Sequence, residues 1–183
     1  AFQAIIGQAD RTGAALALRA GPGVLAFGVA GVLLGLTYSL PGIRLAGRGL
    51  GEAAIAAAFG ILPVTGAAWL QTGSVDAQAV LLAVPVSSWV AAIILANEIP
   101  DAPSDAVTGK RTLAVRLGAR TPLLHGLVQV AGFAALAVMA ARGLLPEWAV
   151  LLPAALLAAG LYASGLLAGS RSQLARGIRL TLG

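Results

Sequence analysis

The 183-residue sequence contains no cysteine and a single histidine, His125. Disulfides and thiolate metal sites are therefore excluded, and one imidazole cannot build a zinc centre alone, so any metal must be held by oxygen. Charge is equally scarce. Only 10% of residues are Asp, Glu, Lys or Arg, with 7 acidic side chains against 12 basic ones. No aromatic-interleaved basic patch suggests nucleic-acid binding. No internal repeat and no low-complexity linker divides the chain, and its start lacks the basic, apolar and cleavage-site order of a signal peptide.

What fills the space is apolar: 58% of residues are hydrophobic and the mean hydropathy is +0.90, a membrane-protein composition. Crossing the hydrocarbon core takes roughly 20 mostly apolar residues. The runs 21–40, 53–70, 77–96, 121–141 and 148–167 qualify, which predicts five complete spans in an all-α, polytopic membrane helix bundle. The stretch 1–18 reads as a partial helix carrying Asp10 and Arg11, which are awkward at membrane depth, and 176–183 reads as the first turns of another. The expectation is one transmembrane domain over 1–183, truncated at both ends and drawn from a longer polytopic protein.

Lys and Arg are retained on the cytoplasmic side. Alternating the loops gathers Arg44, Arg48, Lys110, Arg111, Arg116, Arg120, Arg171, Arg176 and Arg179 on one side, against Arg19 and Arg142 on the other. The segment NEIPDAPSD (97–105) is thereby expected as a cytoplasmic loop of an integral protein of a bacterial or archaeal plasma membrane. Topology and anionic lipid account for the net charge of +5, leaving no call for nucleic acid. Gly31 with Gly35 and Gly165 with Gly169 have GxxxG spacing, which predicts close helix crossings. Pro63 and Pro85 interrupt two of the spans.

The most informative stretch is 97–118, which sets Glu98, Asp101 and Asp105 beside Lys110, Arg111 and Arg116 between two uncharged apolar runs. Asn97, Asp101 and Asp105 are four residues apart, so wherever the chain is helical they present oxygen atoms along one face. Pro100 and Pro103 are expected to distort that helix. Such carboxylates suit Mg²⁺, which takes one or two of them and leaves its other positions to phosphate and water. Lys110 and Arg111 supply the cations that phosphate recognition requires. A lone DxxxD pair is more often ordinary solvated charge. The whole string, set between membrane spans, favours a site.

Asn97, Asp101 and Asp105, followed by Gly109, Lys110, Arg111, Thr112 and Leu113, resemble the second aspartate-rich motif of the UbiA superfamily of intramembrane prenyltransferases. Upstream, Tyr38, Pro41, Arg44, Arg48, Gly49, Leu50, Gly51 and Glu52 resemble the loop after the fourth helix in its menaquinone-type, dihydroxynaphthoate branch. The two matches, in order, cover about a fifth of the chain. The resemblance implies a mostly antiparallel nine-helix bundle around a central cavity, with helices three to eight represented. It implies that Asp101 and Asp105, assisted by Asn97, hold Mg²⁺ on the diphosphate of a polyprenyl diphosphate, that Lys110 and Arg111 grip its oxygens, and that Tyr38 and Arg44 face the reacting carbon or leaving group. The prenyl group would pass to an aromatic acceptor, dihydroxynaphthoate or a related quinone precursor, with membrane lipid as the surrounding solvent.

Departures from the family pattern bear on the acceptor more than on the prenyl donor. Glu98 and Pro100 stand where asparagine and arginine are commonest in the naphthoate branch, and Ala46 and Gly47 where lysine and tyrosine are frequent. The family's other aspartate-rich motif, between its second and third helices, is missing, so the chain alone is expected to be inactive. The competing expectation is a non-catalytic membrane protein, a transporter or a helical partner subunit with a cation-binding loop.

The remaining polar and aromatic residues read more plainly. His125 and Gln129, one turn apart, line a cavity or pack helices. Trp69 and Trp148 are expected as interfacial anchors, Trp89 and Tyr162 as core, and Asp76 and Glu147 as solvated loop charges.

Overall fold

The computed structural model describes residues 21–169 together with 15, 17–19, 176, 179 and 181; Asp10, Arg11 and Arg171 lie outside the described residues. Within the continuously described residues 21–169, five helical segments follow one another: α1 (Gly23–Ser39), α2 (Gly51–Thr72), α3 (Ala77–Val107), α4 (Leu113–Ala141) and α5 (Glu147–Leu167). Four of them, α2 to α5, are long and apolar enough to cross a membrane. Helices of that length and hydropathy are those of an integral membrane protein.

The first expected span is shorter than its apolar run. α1 covers 17 residues, because Pro22 sets its start and the chain leaves helical geometry at Leu40. At ~1.5 Å per residue it measures ~26 Å, a little under the hydrocarbon thickness. α3 errs the other way. Its 31 residues extend ~46 Å, about 15 Å more than the hydrocarbon core requires.

That surplus corrects the expectation of a charged loop at 97–105. The helix runs unbroken through Pro85, Pro100 and Pro103 to Val107, and the true loop is confined to the residues just after it. Each proline removes only one N–H from the ladder, the bonds on either side remain, and Pro100 and Pro103 are both exposed. Asn97, Asp101 and Asp105 therefore share one rigid face, one turn apart, on a rod projecting from the apolar segment.

α3 also starts cleanly. The Ala79 N–H donates to Asp76 Oδ1 at 2.8 Å, so Asp76 is an N-cap and not a merely solvated charge. Asp76→Ala is expected to cost about 1 kcal/mol of stability. Denaturant-driven unfolding in detergent measures it.

Close crossings occur at glycines other than the GxxxG pairs. A Cβ on Gly35 or Gly165 would meet nothing within 4 Å, and one on Gly31 only Leu62 at 3.9 Å. The real contacts are elsewhere. A Cβ on Gly60 would stand 2.5 Å from Ser87 Cα, and one on Gly132 3.3 Å from Pro85 Cα, so α2 and α4 press on α3 from two sides. Gly60 sits in a π-turn, Ala57–Ile61, where the Leu62 N–H reaches back to the Ala57 carbonyl. One extra residue in the turn just ahead of Pro63 is how the helix absorbs that proline without stopping.

α5 packs on α4 through a buried polar cluster. His125 is fully buried, with Nδ1 2.8 Å from Ser164 Oγ and Gln129 beside it. His125 is thus a helix-packing residue, whereas Gln129 borders a cavity of about 150 Å³ with Trp89, Ile93 and Leu156. Two aromatic expectations change. Trp69 packs inward on Phe27, ring centroids 6.2 Å apart, and Tyr162 is exposed on the outer face at 58%. Trp148, 72% exposed, keeps the position of an anchor.

Candidate active site

The polar end of the bundle is built by two short loops, 40–50 after α1 and 108–112 after α3, and the backbone joins them directly: the Arg111 N–H donates to the Gly47 carbonyl at 2.8 Å. The cations assigned to one side by the alternating-loop argument at 44, 48, 110, 111 and 116 are thus drawn into one region.

The turn after α3 aims Lys110. Gly109 has φ +78, the Gly109 N–H bonds to the Ala106 carbonyl at 3.2 Å, and the Lys110 N–H bonds to the Asp105 carbonyl at 2.9 Å. This is a Schellman closure, in which glycine takes the left-handed position that a side chain resists. Lys110 is folded back on its own helix, and its Nζ pairs with Asp105 Oδ1 at 2.8 Å. The Asp105 hydrogen bond and negative charge raise the Lys110 ammonium above its ordinary value, with Asp101 adding to the effect and Arg44 opposing it. Lys110 consequently stays cationic throughout the neutral and moderately alkaline range.

Arg44 approaches from the other loop. It is the one non-glycine residue with positive φ, +38, among those described, and it starts the 3₁₀ turn Leu45–Gly47. A left-handed arginine costs ~1–2 kcal/mol, and strain of this kind collects at functional positions. Its consequence is visible. Arg44, Arg48 and Lys110 line one cavity of about 250 Å³ whose remaining walls include Gly42, Gly47, Thr108 and Gly109. Three cations around glycine-rich backbone give the cavity a positive lining, the kind of surface that suits an anion.

The other sequence-chosen residues take different places. Asn97 and Asp101 are exposed and Asp105 is nearly buried, all on the α3 face described above. Arg111 does not join the Arg44 cavity. It opens on a second hollow of about 390 Å³ with Lys110 and Arg116, so Lys110 stands between the two. Tyr38 is half-buried in an apolar hollow between α1 and α2, beside Leu34, Ala54 and Phe59. It remains within electrostatic reach of Glu98, Glu52 and Lys110.

Residues not given a role by the sequence also matter here. Glu52, only 3% exposed, accepts from the Leu113 N–H through Oε1 at 2.6 Å. It thereby caps α4 from 61 residues away, an acid placed at the positive end of a helix. Glu98 faces Glu52, and the Oε2 atoms of both are buried. Nothing in the sequence pairs this acid with so distant a helix.

For a metal, no cluster of three or more His, Asp or Glu exists among the described residues. What the chain offers is two carboxylates and one amide in line, beside a cavity lined by Arg44, Arg48 and Lys110. That donor set fits Mg²⁺ carried on a phosphate, which needs only one or two protein carboxylates, and does not fit an all-protein metal cage.

Among the described residues, then, a bundle of apolar, membrane-length helices brings a face of aspartates beside a cavity lined by three cations, which makes this a polytopic membrane protein with a charged site at a polar end. The chain belongs to the UbiA prenyltransferase family, whose profile matches residues 11–178. Among curated proteins, it is 36% identical over 131 residues to the 1,4-dihydroxy-2-naphthoate octaprenyltransferase of Mycobacterium tuberculosis, covering 70% of this chain and 45% of that one. It is 38% identical over 93 residues to the protein of the same name from Haemophilus influenzae, covering 50% and 30%, and 30% identical over 91 residues to that of Bacillus subtilis, covering 50% and 29%. The chain therefore spans less than half the length of these curated relatives, and the family and branch suggested by the two motifs agree with the matches. No solved structure matches it significantly.

Proposed function

We propose that this chain carries the diphosphate-binding half of an intramembrane aromatic prenyltransferase, taking a polyprenyl diphosphate and an aromatic acceptor of the dihydroxynaphthoate type. The observation that carries the reading is the convergence of Arg44, Arg48 and Lys110 on one cavity, next to the Asp101 and Asp105 face, in a member of the UbiA family. The site is assigned to the cytoplasmic side on the distribution of Lys and Arg.

Ionising an allylic diphosphate places negative charge on the leaving group, and fixed cations in a site shielded from water stabilise that charge best. Lys110 is held by Asp105 and Arg44 by its strained turn, so neither reorganises when the charge develops. Asp101 and Asp105, with Asn97, would hold Mg²⁺, which when bound supplies further positive charge to the diphosphate oxygens. Tyr38 lies on the apolar side of these charges, where an aromatic wall borders the reacting carbon and keeps water away. The apolar bundle receives the isoprenoid tail.

The test supplies labelled polyprenyl diphosphate, Mg²⁺ and dihydroxynaphthoate to the complete encoded protein in lipid vesicles. Prenylated acceptor and released diphosphate are expected. Solute flux or complex formation without consumption of the labelled compound would favour a transporter or partner subunit and overturn the reading.

A further inference from the structure

Arg116 lies outside the anion cavity yet touches the backbone of both loops that form it. Its Nε donates to the Arg111 carbonyl at 2.9 Å, and its Nη2 donates to the Arg48 carbonyl at 2.5 Å. One planar guanidinium thus spans two segments 63 residues apart in sequence, Arg48 to Arg111. The Arg111 N–H to Gly47 bond lies alongside. Gly49 makes the approach feasible: it has φ +70, and a Cβ there would stand 2.7 Å from Arg116 Nε and 2.9 Å from the Arg111 carbonyl oxygen. Side chain, backbone and glycine therefore form one bracket, with Arg48 leading into the cavity on one arm and Lys110 next to Arg111 on the other.

We infer that Arg116 is a positioning residue for the prenyl diphosphate, setting the gap between the Arg44–Arg48 loop and Lys110 so that their cations meet one diphosphate group. The inference rests on the proposed prenyl-transfer reading. Charge alone cannot do this. A lysine at 116 would keep the charge as a single point and lose the fork that reaches both carbonyls at once. The fork, not the field, is the working element.

The experiment uses inorganic pyrophosphate with Mg²⁺ as probe, on the complete encoded protein in lipid vesicles, comparing the unsubstituted chain with Arg116→Ala and Arg116→Lys. This chain contributes no cysteine of its own, so Ile43→Cys and Val107→Cys, both at exposed positions, carry spin labels that report the gap between the loops. Both Arg116 variants are expected to raise the half-saturating pyrophosphate concentration about tenfold and to broaden the label distance, with helix content by circular dichroism unchanged. The conservative Arg116→Lys guards against a folding failure. Wild-type affinity in Arg116→Lys, or an unaltered label distance in both variants, would overturn the inference. Failure of the unsubstituted protein to bind pyrophosphate would overturn the prenyl-donor reading, and the inference with it, so the two failures are told apart.

Discussion

Asp101→Asn and Asp105→Asn, made separately, are each expected to lower Mg²⁺-dependent prenyl transfer by about 10²–10³-fold, the scale on which a single preorganised electrostatic contact acts. Both changes are nearly isosteric and sit on an intact helix face, so the fold should stand. The two should nevertheless differ. Asp101 is exposed and has only an electrostatic link to Lys110, so its loss removes one oxygen ligand. Asp105 also holds Lys110 Nζ at 2.8 Å, and its loss releases that ammonium from the cavity. Asp105→Asn should therefore weaken binding of the polyprenyl diphosphate as well as slow the reaction, while Asp101→Asn should act mainly on kcat. Steady-state kinetics over a range of Mg²⁺ concentrations, with circular dichroism as the fold control, separates the two. Unchanged transfer in either variant would sink the assignment of that carboxylate.

The sequence was most legible where one physical rule dominates. Apolar length located the helices, because a continuous apolar run of about 20 residues satisfies its own backbone across lipid only as a helix. The four-residue spacing placed Asn97, Asp101 and Asp105 on one face, because helical geometry is fixed. Where two rules compete, the reading slipped. Proline chemistry argued for a broken segment at 97–105, yet α3 continues to Val107, since losing two N–H donors near a helix end does not outweigh the bonds that remain. Small-residue spacing argued for crossings at Gly31, Gly35 and Gly165, yet the rotation of each helix is set by its neighbours, and the crossings fall at Gly60 and Gly132. Arg116 and Glu52 escaped for a third reason. Their partners are main-chain groups, the Arg48 and Arg111 carbonyls and the Leu113 N–H, and a backbone atom leaves no mark in a sequence.

The π-turn crossing carries the second large expectation. Gly60→Ala should destabilise the bundle by about 2 kcal/mol net, through overpacking of roughly 1–3 kcal/mol at its upper end offset by up to ~1 kcal/mol of helix propensity. The added Cβ would fall 2.2 Å from Ser87 Oγ, 2.5 Å from Ser87 Cα and 2.7 Å from Ser87 N. A hydroxyl can rotate away, but two of those atoms are backbone, so α2 and α3 must separate. Gly35→Ala is the matched control. Nothing lies within 4 Å of its Cβ, so it should be neutral or stabilising by up to ~1 kcal/mol. Denaturant-driven unfolding of both variants in bicelles measures the difference. The effect should reach the polar end as well, because α2 carries Glu52 and α3 carries Glu98 and Asp105. Prising the helices apart at Gly60 tilts Glu52 away from the Leu113 N–H it caps, loosening the start of α4 and, with it, Arg116. Gly60→Ala is therefore expected to weaken pyrophosphate binding, while Gly35→Ala leaves it unchanged. Equal stability in the two variants would show that α2 and α3 do not cross at backbone contact.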